Sequence, residues 1–175
     1  FHITLGIEAL KFQKYNRSDI VAEICKYFNI KIFDFKIIKK NLTKTNKKTI
    51  TIFPISTSVI RSLPFRVIFE LIQYFKNEYR VQIIIDDSSI SKNLEKQNIK
   101  KYNFEFIKPK NIEELIMEIS KITFGIFVDS GPLHLAKIFD KRGLLIETSV
   151  KNDILLSNSN KIFALKNTYY SNYCS

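Results

Sequence analysis

The run Gly125-Ile126-Phe127-Val128-Asp129-Ser130-Gly131-Pro132-Leu133-His134-Leu135-Ala136 sets a short apolar stretch against a segment with apolar residues at helical spacing. Asp129, Ser130, Gly131 and His134 stand at and just beyond the junction. A strand, a tight turn and a helix start fit this pattern. The N–H groups of a first helical turn have no partner within the helix, and together with the helix dipole they attract an anion such as phosphate. Pro132 suits the first helical position, where its missing N–H costs nothing. Gly131 lets the backbone turn sharply or approach a ligand closely. The chemistry-free alternative is that Asp129 and Ser130 merely cap the helix.

Three further polar groups follow apolar runs in the same way. They are Ser56-Thr57-Ser58 with Arg61, the pair Asp86-Asp87, and Lys108-Pro109-Lys110-Asn111. Hydroxyls, an arginine and a helix N-terminus make a cradle for a diphosphate. A carboxylate at the end of a neighbouring strand is suited to a ribose hydroxyl. The sequence carries neither a Gly-x-Gly-x-x-Gly fingerprint nor a Walker-type loop, which counts against dinucleotide oxidoreductases and P-loop NTPases.

The elements that must position these groups alternate. Ile50-Thr51-Ile52-Phe53 reads as a buried strand ended by Pro54. Phe65 to Lys76 reads as a helix with Val67, Ile68, Leu71, Ile72 and Phe75 on one face. Val81 to Ile85 is the second strand, Ser91 to Gln97 a short helix, and Tyr102 to Ile107 the third strand. Ile112 to Ile122 follows as a helix capped by Asn111, with Glu113 and Glu114 where the dipole favours acids. Gly125 to Val128, Gly143 to Ile146 and Ile162 to Leu165 complete the strands, and the Tyr-rich tail stays unassigned. Apolar strands alternating with helices imply a three-layer α/β sandwich, Rossmann-like, with a mainly parallel sheet covered on both faces. Ligands of such sheets bind at the carboxyl ends of the strands, where the strand order reverses. The four polar loops are therefore expected to converge on one crevice.

Upstream, Ile7 to Asn29 has a helical pattern with Ser18 and Asp19 as capping candidates, and Ile30 to Ile38 suits a strand or an extended connector. Residues 1–48 read as an interdomain helix and linker region, and residues 49–175 as a Rossmann-like domain, which the resemblance described below implies to be sugar-nucleotide-binding. The chain opens on Phe1-His2-Ile3 without an initiator Met, so a piece of a longer protein is expected.

Composition bounds the partners. A hydrophobic fraction of 45% over 175 residues supports one domain with a real core and argues against disorder. No run approaches the ~20 apolar residues of a membrane span, and no signal peptide opens the chain, so a soluble, cytoplasmic protein is expected. Cys25 and Cys174 lack ligand spacing, and His2 and His134 are the two histidines, so no metal is expected. The net charge of +11 favours polyanions: nucleic acid, an acidic membrane surface or a phosphorylated glycolipid. The whole chain is rich in Lys, Asn and Ile, a bias that raises charge without any particular partner. The cluster Lys36, Lys39, Lys40, Lys44, Lys47 and Lys48 is either a solvated loop or a contact with an anionic surface. A nucleic-acid module is a rival reading but is not the expectation, because the sequence has no recognition motif and its aromatics sit at core spacing.

With these residues in view, Phe127 to Ala136 resembles the signature of glycosyltransferase family nine, the ADP-heptose:lipopolysaccharide heptosyltransferases, whose motif runs Val-Asp-(Ser/Thr)-Gly-x-x-His-Leu-(Ala/Thr). In that family a strand also leads to a hydroxyl-rich loop and then Lys-x-Trp-Pro before a helix, and Ser56, Thr57, Arg61, Leu63 and Pro64 fall at that spacing. The resemblance covers about Lys48 to Ser149, and the segment before it is similar to the region joining the family's two domains. It implies the carboxy-terminal, donor-binding half of a GT-B enzyme that transfers a sugar from an ADP-sugar, with inversion, to a lipopolysaccharide or related glycan. By matching positions, Ser56 and Thr57 would contact phosphates and Arg61 would replace the family's Lys, stabilising the departing diphosphate. Asp129, Ser130, Gly131 and His134 would line the donor site, with Lys110 beside it. Asp86 or Asp87 would hold the ribose in place of a Glu that is missing here. Leu63 replaces the usual Trp, and Asp140-Lys141-Arg142 stands for the Gly-Lys-Pro before the fifth strand. No cofactor is implied, since the ADP-sugar is the substrate. The catalytic base and the site for an anionic glycolipid acceptor would belong to an amino-terminal domain, with a peripheral contact at the inner membrane. The rival within the same fold is a non-catalytic nucleotide-binding domain.

Overall fold

The structure, a computed structural model, describes residues 48–97, 104–156 and 161–166. The expected helix at 7–29, the connector at 30–38, the lysines of 36–47, His2, Cys25, Cys174 and the Tyr-rich tail lie outside the described residues.

Among the described residues six strands form one sheet in which every neighbouring pair is parallel. They are β1 (Thr49–Phe53), β2 (Arg80–Ile84), β3 (Phe104–Ile107), β4 (Phe124–Phe127), β5 (Gly143–Ile146) and β6 (Ile162–Leu165), in the order β3-β2-β1-β4-β5-β6. This is the doubly wound Rossmann order, and its reversal lies between β1 and β4. Five helices make the connections: α1 (Phe65–Phe75), α2 (Ser89–Lys96), α3 (Ile112–Lys121), α4 (Gly131–Ile138) and α5 (Asn152–Leu156).

The layers follow from handedness. The chain steps outward from β1 to β3, returns to β4 and steps the other way, so right-handed crossovers put α1 and α2 on one face and α3, α4 and α5 on the other. Two cores result. Ile50, Ile52, Val81, Ile83 and Ile126 meet Ile68 and Ile72 of α1 and Leu94 of α2. Phe53, Phe127 and Leu145 meet Ile119 of α3, Leu133 and Ala136 of α4 and Leu155 of α5. Phe53 pairs with Phe127 across the reversal, and their rings stack at 4.9 Å and 14°. The site's floor is therefore fixed where the two halves of the sheet meet.

The expected strands are all present, each within a few residues of its expected bounds, and Tyr102 lies outside the described residues. Two elements went unforeseen. A 3-10 turn at Val59–Arg61 interrupts the loop after β1, and α5 occupies Asn152–Leu156. The helix after β2 starts at Ser89, two residues earlier than expected, because the Ser88 hydroxyl accepts the Ser91 N–H and caps it.

Candidate active site

The crevice sits over the carboxyl ends of β1, β2 and β4 and has a volume of about 450 Å³. Ser56, Thr57, Arg61, Asp86, Lys110, Asp129, Ser130, Gly131 and His134 all line it. Asp87 does not. Its carboxylate points away, 83% exposed, and pairs with Lys108 Nζ at 2.9 Å, because successive residues at a strand end face opposite ways. Of the two candidate ribose carboxylates, only Asp86 faces the crevice.

One wall is the loop after β1. Pro54 has no N–H for the ladder, so the strand stops, and the Leu63 N–H donates to the Pro54 carbonyl at 2.8 Å to close the loop. The 3-10 turn at its tip brings Arg61 back over Thr57. Arg61 Nη2 donates to Thr57 Oγ1 at 2.8 Å, and Nη1 donates to Asp129 Oδ2 at 3.3 Å. The guanidinium is thus clamped between β1's loop and β4's end. The Arg61 side chain keeps 29% of its surface exposed, whereas that of Asp129 keeps 2%. A fork held on two sides offers its remaining N–H groups in fixed directions, which suits contact with a pair of phosphate oxygens.

This geometry shows what two of the lining residues bond within the protein. Ser56 donates its hydroxyl proton to the Asp129 carbonyl at 2.9 Å and its N–H to Ser62 Oγ at 2.9 Å. Both of its donors are committed to the protein, so Ser56 ties β1's loop to β4 in this structure. Thr57, which accepts from Arg61, keeps its own hydroxyl proton to donate to a ligand. Asp129 is a buried holder of Arg61; its negative charge would repel a phosphate placed directly on it.

The opposite wall is the start of α4. The helix begins at Gly131, so Pro132 takes the second helical position, one later than expected. Ser130, at the N-cap, makes no side-chain cap; its Oγ lies 3.2 Å from the Val128 carbonyl. No described glycine has a positive φ, and a Cβ built on Gly131 would meet nothing within 4 Å. The expected strand, tight turn and helix start are present, and the turn is made without a left-handed residue at Gly131. What glycine leaves there is open space against the backbone, on the crevice side.

Beneath β2, Asp86 Oδ1 takes the Ser88 N–H at 3.1 Å and both the Ser88 and Ser91 hydroxyls at 2.5 Å. Partial burial works to raise its pKa, but these hydrogen bonds outweigh it and hold the carboxyl below its ordinary value. Asp86 is accordingly ionised at neutral pH, with Oδ1 saturated and Oδ2 left to accept from a diol. Apart from Asn111 the remaining lining is apolar, and Ile85, Pro109, Ile112 and Leu115 make a slot beside Asp86. Asn111 caps α3 through its Oδ1, which accepts the Glu114 N–H at 2.9 Å, as its position suggested.

Sequence reasoning missed Ser88 and Ser91, although Asp-x-Ser-x-x-Ser at the start of a helix is a signal for a capped, hydrogen-bonded carboxylate. It also missed Ser62 and the apolar slot, whose members come together only through the fold. Among the described residues no three His, Cys, Asp or Glu side chains gather as a metal site, and no helix is long and apolar enough to cross a membrane.

No protein-family model and no curated protein matches this sequence. Solved structures do match. The chain is similar to E. coli heptosyltransferase WaaC with ADP, at a TM-score of 0.68 and 12% identity over 86% of this chain and 50% of that one. The same enzyme with ADP-2-deoxy-2-fluoro heptose gives 0.65 and 12%, over 86% and 49%. E. coli ADP-heptose lps heptosyltransferase II gives 0.59 and 13%, over 85% and 43%. At this identity the likeness establishes the fold: the α/β Rossmann-like architecture matches that of GT-B heptosyltransferases. The chain spans about half the length of each of these proteins.

Proposed function

We propose that this chain is the donor-binding half of a heptosyltransferase-type glycosyltransferase and that its crevice holds an ADP-sugar. The observation that carries the reading is the Arg61 guanidinium, clamped by Thr57 and Asp129 at the reversal of the sheet and opposite the first turn of α4. The diphosphate would lie between Arg61, Thr57 and the Gly131 backbone. The ribose would meet Asp86 Oδ2, and the base would enter the slot of Ile85, Pro109, Ile112 and Leu115. The solved neighbours with ADP and with an ADP-heptose analogue support an ADP-linked donor.

In the transfer, an acceptor hydroxyl oxygen would bond to the anomeric carbon as the bond from that carbon to the diphosphate oxygen breaks. ADP would depart with the electron pair, and the sugar would be inverted. Arg61 and the α4 N-terminus would stabilise the charge that grows on the leaving diphosphate. The acceptor's proton needs a base. Asp129 is held by Arg61, and Asp86 is held through Oδ1 by Ser88 and Ser91, with Oδ2 given to the ribose in this reading. The base and the lipopolysaccharide-type acceptor site are therefore assigned to a second domain, and these residues alone should transfer little sugar. The reading implies a cytoplasmic reaction at or near the inner membrane, where an anionic glycolipid would be displayed, and needs no cofactor.

The engagement of both carboxylates also fits a non-catalytic nucleotide-binding domain of the same fold. Calorimetry separates the readings. ADP and ADP-heptose should bind the wild-type chain, and Arg61→Ala should weaken both at least about tenfold, the worth of one charge-assisted hydrogen bond. Equal affinity in the Arg61→Ala protein, or no binding by the folded chain, would refute the proposal. Binding of ADP with the sugar excluded would favour the non-catalytic reading.

A further inference from the structure

We infer that Ser62 is the positioning residue of the anion-binding loop, setting Thr57 and Arg61 for the donor's diphosphate without touching it; this rests on the reading of the crevice given above. Ser62 is only 8% exposed and lies outside the crevice lining. Its Oγ nevertheless stands at the centre of the loop. It accepts the Ser56 N–H at 2.9 Å and lies 3.0 Å from the Ser58 carbonyl and 3.3 Å from that of Ser56, so its one proton is shared between those two oxygens. Ser58's carbonyl also takes the Arg61 N–H at 3.1 Å, and the Val59 carbonyl takes the Ser62 N–H at 3.0 Å. Residues 56 to 62 are thus drawn into a closed ring around one hydroxyl.

The ring has two functional edges. On one side lies Ser56, whose own hydroxyl fastens the loop to Asp129. On the other lies Arg61, adjacent in sequence to Ser62 and bonded both to Thr57 and to Asp129. Deleting Ser62 Oγ leaves the N–H of buried Ser56 without its acceptor, and the loop then relaxes toward any arrangement that finds one. The separation it fixes, 2.8 Å between Arg61 Nη2 and Thr57 Oγ1, is lost with it. A group shape-matched to a diphosphate is sensitive to such displacement, because each charge-assisted bond depends on direction as well as distance.

A double-mutant cycle read by ADP calorimetry on the full chain tests this. Ser62→Ala should weaken ADP binding roughly tenfold in the wild-type background and less than about twofold in the Arg61→Ala background, because its effect passes through Arg61. Ser62→Thr, which keeps the hydroxyl, should restore affinity to within about twofold. The same factor in both backgrounds would mean a merely structural role and would overturn the inference, as would no effect in either. Amide exchange on the wild-type protein gives a check that needs no variant: the Ser56 N–H should be protected, and exchange at the rate of an open loop would also overturn it. If wild-type protein binds no ADP, it is the reading of the crevice that fails; if it binds ADP but Ser62 shows no coupling, only this inference does.

Discussion

The residue scale is set by two carboxylates used in opposite ways. Asp129 is buried against Arg61, so its charge orients a cation. Asp86 is braced from one side by Ser88 and Ser91 and keeps an oxygen for the crevice. Its depressed pKa has a definite sign in stability. A carboxylate stabilised in the folded state contributes fully above its unfolded value and loses that contribution as pH falls through the lower folded value. The stability gap between wild type and Asp86→Asn should therefore stay constant from pH 7 down to about pH 5 and close as the protein is acidified past the ordinary value of 3.8. Thermal melts across that range check it, and a gap that widens on acidification would contradict the assignment. Gly131 supplies the second test at this scale. A Cβ there meets nothing, so Gly131→Ala should leave stability within about 0.5 kcal/mol of wild type. If the diphosphate lies against this backbone, the added methyl should still cost ADP affinity, and calorimetry beside a melting curve separates the two effects.

At the scale of elements, the close approach of β4 and β5 is what holds α4 over the crevice. Gly125 and Gly143 are register partners, and a Cβ on Gly143 would come within 2.4 Å of the Gly125 carbonyl oxygen and 2.7 Å of the Phe127 ring. Gly143→Ala should destabilise the fold by about 1–3 kcal/mol, measured by denaturant unfolding, because backbone and a stacked ring must both shift. The elements themselves were readable from residue pattern, since β-branched runs such as Ile50 to Phe53 and the Ile68/Ile72 stripe follow periods of two and 3.6. Convergence of the polar loops was readable too, because a parallel sheet sends all its strand ends one way. What could not be read was which atoms meet. Ser56 and Thr57 are adjacent hydroxyls in sequence, yet one is consumed by the Asp129 carbonyl and the other faces the crevice. Asp86 and Asp87 differ only in which side of the strand end they face. Asp140 shows the same limit: it takes the left-handed conformation after α4, with φ of 55°, where glycine is the usual choice. The departure from Gly-Lys-Pro at that point therefore leaves the turn intact.

For the whole molecule, the reversal between β1 and β4 explains why the polar loops gather at one place. The two halves of the sheet diverge there, and the crossovers place α1 and α2 on one face and α3 to α5 on the other, leaving a gap above Phe53 and Phe127 for a ligand. On the outermost strand, β6, Phe163 and Leu165 are 69% and 56% exposed. The crevice is a mixed site, lined by one cationic clamp, one braced carboxylate and a group of apolar side chains. Under the proposed function these would take the diphosphate, the ribose and the base. The most direct measurement is a crystal structure of this chain with ADP. The account predicts the diphosphate within hydrogen-bonding distance of Arg61 and Thr57, the ribose diol on Asp86 Oδ2, and the base between Ile85, Pro109, Ile112 and Leu115; ADP bound elsewhere, or bound in the crevice with its phosphates turned away from Arg61, would contradict it.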